Sequence, residues 1–289
     1  MLRVNRAIEL LEAGQPVYYD TVRTLSYEHG VEQAGTWADY LNIELEHHPF
    51  APEALHALMR GLIEGGPTRS GHRTPAAIVT LPIDASDEHA VRANSWIIKQ
   101  VLAAGVHGML LCHAETAAAV RTFVEYSRFA YQTIGVGAGL GQGRRGAGGQ
   151  ALSAAYWGLS VPEYLDRTDV WPLNPKGELM LGLKIENRRA LANVEASVAV
   201  PGIAFAEWGP GDMGMSFGHK DAHDPPYPPE MLEARSRVKA ACDRAGVIFL
   251  DMVRANNVVA QLDDGVRLGA ATADAAEIGR QHTGRTLPW

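Results

Sequence analysis

Eight short apolar runs, separated by stretches of helical periodicity, limit the fold of this chain more than any other feature. They are "PVYYDTV" (16–22), "YLNIELE" (40–46), "AAIVTLP" (76–82), "HGMLLCH" (107–113), "LMLGLKIE" (179–186), "IAFAEWG" (203–209), "VIFLDMV" (247–253) and "VRLGAAT" (266–272). Between them, "APEALHALMRGLIEG" (51–65) places apolar residues at helical spacing behind a proline. "NSWIIKQVLAAG" (94–105) closes on a glycine, a common helix stop. "AETAAAVRTFVEYSR" (114–128) and "PEMLEARSRVKAACDRAG" (229–246) read alike, and "MLRVNRAIELLEAGQP" is amphipathic through Val4, Ile8, Leu10 and Leu11. Alternation of eight strands with helices predicts an α/β fold, a (β/α)8 or TIM barrel. An open doubly wound sheet is the other architecture such alternation permits. There is no fixed-period repeat and no break in composition, so one domain over 1–289 is expected.

Composition removes several function classes. Hydrophobic residues make up 46% of 289, enough for a large core, and the 20% charged residues are well mixed, which disfavours disorder. A formal charge of −7 without a long basic run argues against nucleic acid and against anionic membrane surfaces. No apolar run reaches the roughly 18 residues of a membrane span, and the first helix contains acids rather than a signal-peptide core. Cys112 and Cys242 lie far apart without a CxxC pattern, so a cytoplasmic, reducing setting is expected and a structural zinc site is not.

In a barrel, chemistry belongs at the C-terminal strand ends. "LMLGLKIE" ends in Glu186, and "IAFAEWGPGD" leads to Asp212 from the next strand. Two carboxylates brought together repel, and a divalent cation such as Mg²⁺ or Mn²⁺ relieves that cost. Spacing alone equally permits Glu186 to cap a helix and Asp212 to steady a turn. In "IELEHHPF", Glu44 and Glu46 share one strand face and His47 follows, a pairing suited to proton transfer. An exposed edge with an incidental histidine pair has the same spelling.

Two further segments stand outside a minimal barrel. "GVGAGLGQGRRGAGGQ" (135–150) contains G-x-G-x-x-G at Gly141, Gly143 and Gly146 but lacks a preceding strand, so a dinucleotide site is not expected. Arg144 and Arg145 within it could hold an anion or a subunit contact. "GHKDAHDPPYPPE" (218–230) has the polarity of a lid or binding loop. His113, ending the fourth run, is expected to pack or hydrogen-bond rather than bind metal.

The stretch "LMLGLKIENRRALANVEASVAVPGIAFAEWGPGDMGMSFG" resembles the signature half of the HpcH/HpaI aldolase family, metal-dependent class II pyruvate aldolases with a Q-I-E strand end and a G-P-x-D-[LM]-[SG] turn. "WADYLNIELEHHPF", "IIKQVLAAGVHGMLLCHAETAAAVRTFVEYSRF" and "GRRGAGGQALSAAYWGLSVPEYLDR" are similar to further family segments, so the likeness spans roughly residues 3–275. The resemblance implies a (β/α)8 barrel of the phosphoenolpyruvate/pyruvate type. It also implies a homo-oligomer, a hexamer or trimer of dimers, with C-terminal helices exchanged between subunits. It puts Glu186 and Asp212 at the metal positions, with Mg²⁺, Mn²⁺ or Co²⁺ as the cofactor. His47 falls at the catalytic histidine, and Glu44 at its acidic partner, usually Asp. Gly209, Pro210 and Gly211 would lie beside a bound 2-oxo acid.

Two departures stand out. Thr80 occupies the place of a family arginine, and Lys184 that of a glutamine. Lys184 and Arg92 are the candidates for restoring the positive charge. The expected activity is a carbon–carbon lyase acting on a 4-hydroxy-2-oxo acid, with a 2-oxo acid and an aldehyde as partners. The alternatives are another C–C or C–O lyase of a 2-oxo acid and a non-catalytic ligand-binding barrel. Phosphoryl chemistry would require more cationic phosphate contacts than the strand-end residues identified in the sequence provide.

Overall fold

The structure is a computed structural model and describes residues 3–285. The end of "TGRTLPW", from Thr286 onward, lies outside the described residues, as do Met1 and Leu2. All eight apolar runs form strands: β1 (Val17–Val22), β2 (Tyr40–Glu44), β3 (Ala76–Asp84), β4 (Gly108–Cys112), β6 (Leu179–Lys184), β7 (Phe205–Glu207), β8 (Ile248–Met252) and β9 (Leu268–Ala270). The two-residue β5 (Val170–Trp171) pairs with β6 beside the ring and was not expected. All ladders are parallel, in the order β4-β3-β2-β1-β9-β8-β7-β6, and β4 closes on β6 from Gly108↔Met180 to Leu111↔Leu183. This closure makes the fold a (β/α)8 barrel and rules out the open sheet.

The expected helices form over Pro52–Gly65, Ser95–Ala103, Ala117–Ser127 and Pro229–Ala245. In the first of these, Leu55, Leu58, Met59 and Leu62 recur at helical spacing and are buried against the sheet. Each such side chain contributes about 1.5–3 kcal/mol on burial. No described helix is long and apolar enough to cross a membrane.

The apolar interior has two parts. A large layer lies between strands and helices. A smaller one fills the barrel itself, with Tyr19, Tyr40, Ile78, Met180, Phe205, Leu250 and Leu268 pointing inward. Gly182 matters here, because a Cβ at that position would stand 2.2 Å from the Phe205 ring. The N-terminal helix (Arg6–Glu12) seals the bottom by adding Ala7, Ile8 and Leu10 to this inner layer.

Side-chain alternation turns this plug into a site. Two to four residues beyond each inward apolar side chain, the same face becomes polar: Tyr19 gives way to Thr21 and Arg23, Tyr40 to Asn42 and Glu44, Ile78 to Thr80, and Met180 through Gly182 to Lys184 and Glu186.

The glycine-rich segment is fastened to the outer wall. Arg145 is buried, 4.4 Å over the Phe129 ring, and donates to Tyr164 Oη at 2.8 Å. Arg144 pairs with Glu125 at 3.1 Å. Both arginines therefore brace the segment within the chain, and neither lines the strand-end cavity.

Candidate active site

The polar strand ends enclose a cavity of about 750 Å³ at the C-terminal mouth. Its wall contains Thr80, Lys184, Glu186, Gly209, Pro210, Gly211 and Asp212, together with Glu44 and His47. All the expected site residues except Arg92 thus face one space. Arg92 sits in the helix Glu88–Ala93, exposed and away from the cavity, because β3 runs on to Asp84 and carries the following segment past the mouth.

Glu186 is fully buried. Its Oε1 accepts a hydrogen bond from the His113 backbone N–H at 2.9 Å. His113 can offer this donor because its backbone adopts φ 46°, and its Nδ1 lies 3.2 Å from Asn187 Nδ2, so it serves as a hydrogen-bonding residue. Glu186 Oε2 has a single close partner, Lys184 Nζ, which forms an ion pair with it at 2.8 Å. Burial raises the Glu186 carboxyl above its usual range, and Lys184 pulls the other way.

Lys184 also donates to Glu46 Oε2 at 2.6 Å. Burial works against its charge, but Glu186, Cys112, Glu207 and Glu46 outweigh burial and hold its pKa raised. The ammonium is thus a fixed internal cation. Glu207, inward-facing on β7, is buried, and burial lifts its carboxyl to about 7 against the pull of Lys184.

"GPGD" is the first turn of a helix rather than a free turn. Gly209 is the N-cap of Pro210–Phe217, at φ 51°. A Cβ at Gly209 would stand 2.4 Å from Glu186 Cβ and 2.8 Å from its Oε2, so only glycine lets this turn pass over the carboxylate. Asp212 lies three residues on, with no hydrogen bond or ion pair among the described residues, and faces the same cavity.

The His47 backbone N–H donates to Glu44 Oε1 at 2.9 Å, and its Nδ1 stands 3.4 Å from the same oxygen. His48 Nε2 lies 3.3 Å from Glu44 Oε2. Glu44 therefore orients a largely exposed imidazole at the mouth. Thr80 donates its hydroxyl to Asn42 Oδ1 at 2.9 Å, leaving a neutral patch on β3.

The sequence reading did not assign Glu207, Arg23 or Arg254 to the site, nor Glu46 as the lysine's partner. Arg23 and Arg254 continue the inward faces of β1 and β8, opposite the carboxylates around Lys184. Strand alternation carried one residue past each run would have found both. The loop at 218–230 borders the mouth through His223, and Tyr227 packs edge-on to Trp208 at 5.0 Å.

Oxygen donors dominate this cavity. Atoms of Glu46, Cys112 and Glu186 converge within 4.8 Å of one another, as do those of Glu44, Glu46 and His47. Asp212 belongs to neither cluster but lines the same cavity as buried Glu186, and carboxylate oxygens suit a hard divalent cation, with Lys184 Nζ the cation at Glu186 Oε2.

A closed parallel barrel with an acid-lined mouth, an internal lysine and a carboxylate-oriented histidine defines a TIM-barrel protein with its site at the strand ends. The chain belongs to the HpcH/HpaI aldolase/citrate lyase family, whose model matches residues 31–277. The 2-keto-3-deoxy-L-rhamnonate aldolase of Klebsiella pneumoniae subsp. pneumoniae is 31% identical over 183 residues, 63% of this chain and 62% of that protein. The match thus spans less than two thirds of this curated relative. Among solved structures, an HpcH/HpaI aldolase/citrate lyase family protein from Burkholderia cenocepacia J2315 superposes with TM-score 0.71 at 20% identity, covering 96% of each chain. Citrate synthase SbnG superposes with TM-score 0.68 at 17% identity, covering 98% of this chain and 96% of that one. At such identities these structures speak for the fold alone.

Proposed function

We propose that the strand-end cavity cleaves, and in reverse forms, the C3–C4 bond of a 4-hydroxy-2-oxo acid, giving a pyruvate-type oxo acid and an aldehyde. The observation that carries this reading is the pair Glu186 and Asp212. Glu186 is fully buried with Lys184 as the cation at its Oε2, Asp212 has no hydrogen bond or ion pair among the described residues, and both share a cavity with an oriented histidine. These two residues would hold Mg²⁺, Mn²⁺ or Co²⁺, which supplies Lewis-acid polarisation of the oxo group when bound.

The chain's own groups account for the remaining steps. His47, oriented by Glu44, takes the proton from the 4-hydroxyl. As the C4 carbonyl forms, the C3–C4 electron pair passes into the oxo acid as an enolate, which takes a proton at C3 from water while His47 releases its own to solvent. Lys184, held between Glu46 and Glu186, places positive charge in the cavity where the family arginine is missing. The first turn at Gly209–Asp212 presents backbone N–H groups to the substrate carboxylate, since Pro210 opens the helix.

Thr80 favours a second reading. Its hydroxyl is engaged by Asn42, so β3 offers no cation, and a lyase acting on another C–C or C–O bond of a 2-oxo acid would suit that wall. The buried free cysteines support a reducing, cytoplasmic setting. Exposed Tyr131, Ile134 and Val136 support a homo-oligomer, which light scattering would test.

The deciding experiment screens 4-hydroxy-2-oxo acids for pyruvate release with chelator, and again after adding back each metal. Exchange of pyruvate methyl protons in deuterated buffer is measured alongside. Cleavage that survives full chelation would sink the metal-assisted reading. Exchange without cleavage would favour the second reading, and neither would leave a ligand-binding barrel.

A further inference from the structure

At the opposite end of the barrel, a second cavity of about 300 Å³ opens among the segments that lead into the strands. Its wall includes Arg3, His72, Arg73, His107, Trp157 and Arg167. None of these belongs to the site described above, and no carboxylate is part of the wall.

The charges there are only partly matched. Arg167 pairs with Glu178 at 2.5 Å, and Arg3 lies 3.6 Å from the same carboxylate while also pairing with Glu12. Both oxygens of Glu178 are engaged, because Oε2 accepts from the Val4 and Asn5 backbone N–H groups at 3.1 and 3.0 Å. Arg73 has no hydrogen bond or ion pair among the described residues. Three guanidinium groups therefore face two carboxylates, leaving one positive charge unmatched.

The two histidines add fixed polarity. His107 Nδ1 accepts from the Ala77 backbone N–H at 3.1 Å, so the neutral ring keeps its proton on Nε2. Trp157 stacks parallel to this ring at 5.4 Å and is itself anchored by a 2.8 Å bond from Nε1 to Gly105 O. Burial drives the His107 pKa down to about 3, so the ring is a neutral donor at physiological pH. His72 is 97% buried on its 3% exposure, and its Nε2 has no hydrogen-bond partner, with the Glu9 carboxylate 3.6 Å away. His72 thus faces a carboxylate rather than the cavity, and the wall's open polar groups are the His107 ring and the Arg73 guanidinium.

We propose that this cavity binds a small dianion, a phosphate or a carboxylate-bearing metabolite, with Arg73 as its main anchor and the His107 ring as a neutral donor in the same wall. The volume lies at the small end of ligand pockets, suiting a compact anion rather than a macromolecule. Guanidinium is suited to both anion types because its planar fork matches either.

Calorimetric titration of the full chain in phosphate-free, chelator-containing buffer tests this, with inorganic phosphate and succinate as separate probes. Saturable binding of at least one is expected, and the stronger probe identifies the anion type. Arg73 is exposed, so Arg73→Gln should keep the wild-type melting temperature while weakening binding by about tenfold or more, with Arg73→Lys intermediate. Absence of saturable binding by either anion would overturn the proposal. So would binding that Arg73→Gln leaves unchanged, since the anion would then sit elsewhere, for example at the catalytic mouth.

Discussion

Replacing Glu207 by glutamine should remove a pH-dependent loss of stability from the barrel. Burial lifts its carboxyl from 4.5 to about 7, even with Lys184 pulling the other way. The folded state thus holds this proton more tightly than the unfolded chain. Stability from this group is fully present below pH 4.5, declines as pH rises through about 7, and is absent above. A difference of about 2.5 pH units at 1.36 kcal/mol each comes to about 3 kcal/mol. With an unfolding entropy of about 2.1 cal/mol/K per residue over 289 residues, that corresponds to roughly 5 °C in Tm. Thermal unfolding of wild type and Glu207→Gln, in chelator, at pH values from about 5 to about 8.5 measures the effect, because titrations of groups remote from Glu207 cancel in the difference. The variant should gain on the wild type by about 4 °C across that range, since part of the loss has already occurred by a pH of about 5. A difference that stays flat with pH would refute the assignment of a proton to this buried carboxyl.

Three other outcomes are expected. Glu186→Gln and Asp212→Asn should each abolish metal-dependent pyruvate release while the chain still folds, checked by assay and by calorimetric metal titration. Lys184→Gln should lower kcat by about 10²- to 10³-fold, the usual effect of removing a preorganised charge, as read by steady-state kinetics. Gly209→Ala should destabilise the fold by about 1–3 kcal/mol in urea unfolding, because its Cβ meets Glu186 at 2.4 Å in a left-handed turn. Gly211→Ala, whose Cβ meets only the His223 ring at 3.1 Å, should cost much less.

Local pattern carried much of this architecture. The strands are short apolar runs that the barrel buries on both sides, so their composition alone locates them. β5 escaped because two residues have no period. Glu44 and Glu46, and likewise Lys184 and Glu186, were predictable as same-face pairs, since alternation is a property of one strand. The bridge from Lys184 to Glu46 joins residues 138 positions apart, and no local rule relates them. Arg92 was misplaced for a related reason: which way a loop leaves the mouth depends on where β3 stops. Glu207 interrupts the apolar run "IAFAEWG" as its only charge, a mark that could have been read.

The aromatic and aliphatic filling around Phe205 leaves no water-filled passage along the barrel axis, with Tyr40, Ile78, Met180 and Phe205 at most 1% exposed. An occupant of the lower chamber therefore cannot reach the upper one by diffusion through the middle. Any communication between the two would pass through the frame, chiefly along β3, which follows Arg73 at its lower end and carries Thr80 toward its upper end. A displacement of this one strand would register in both chambers at once.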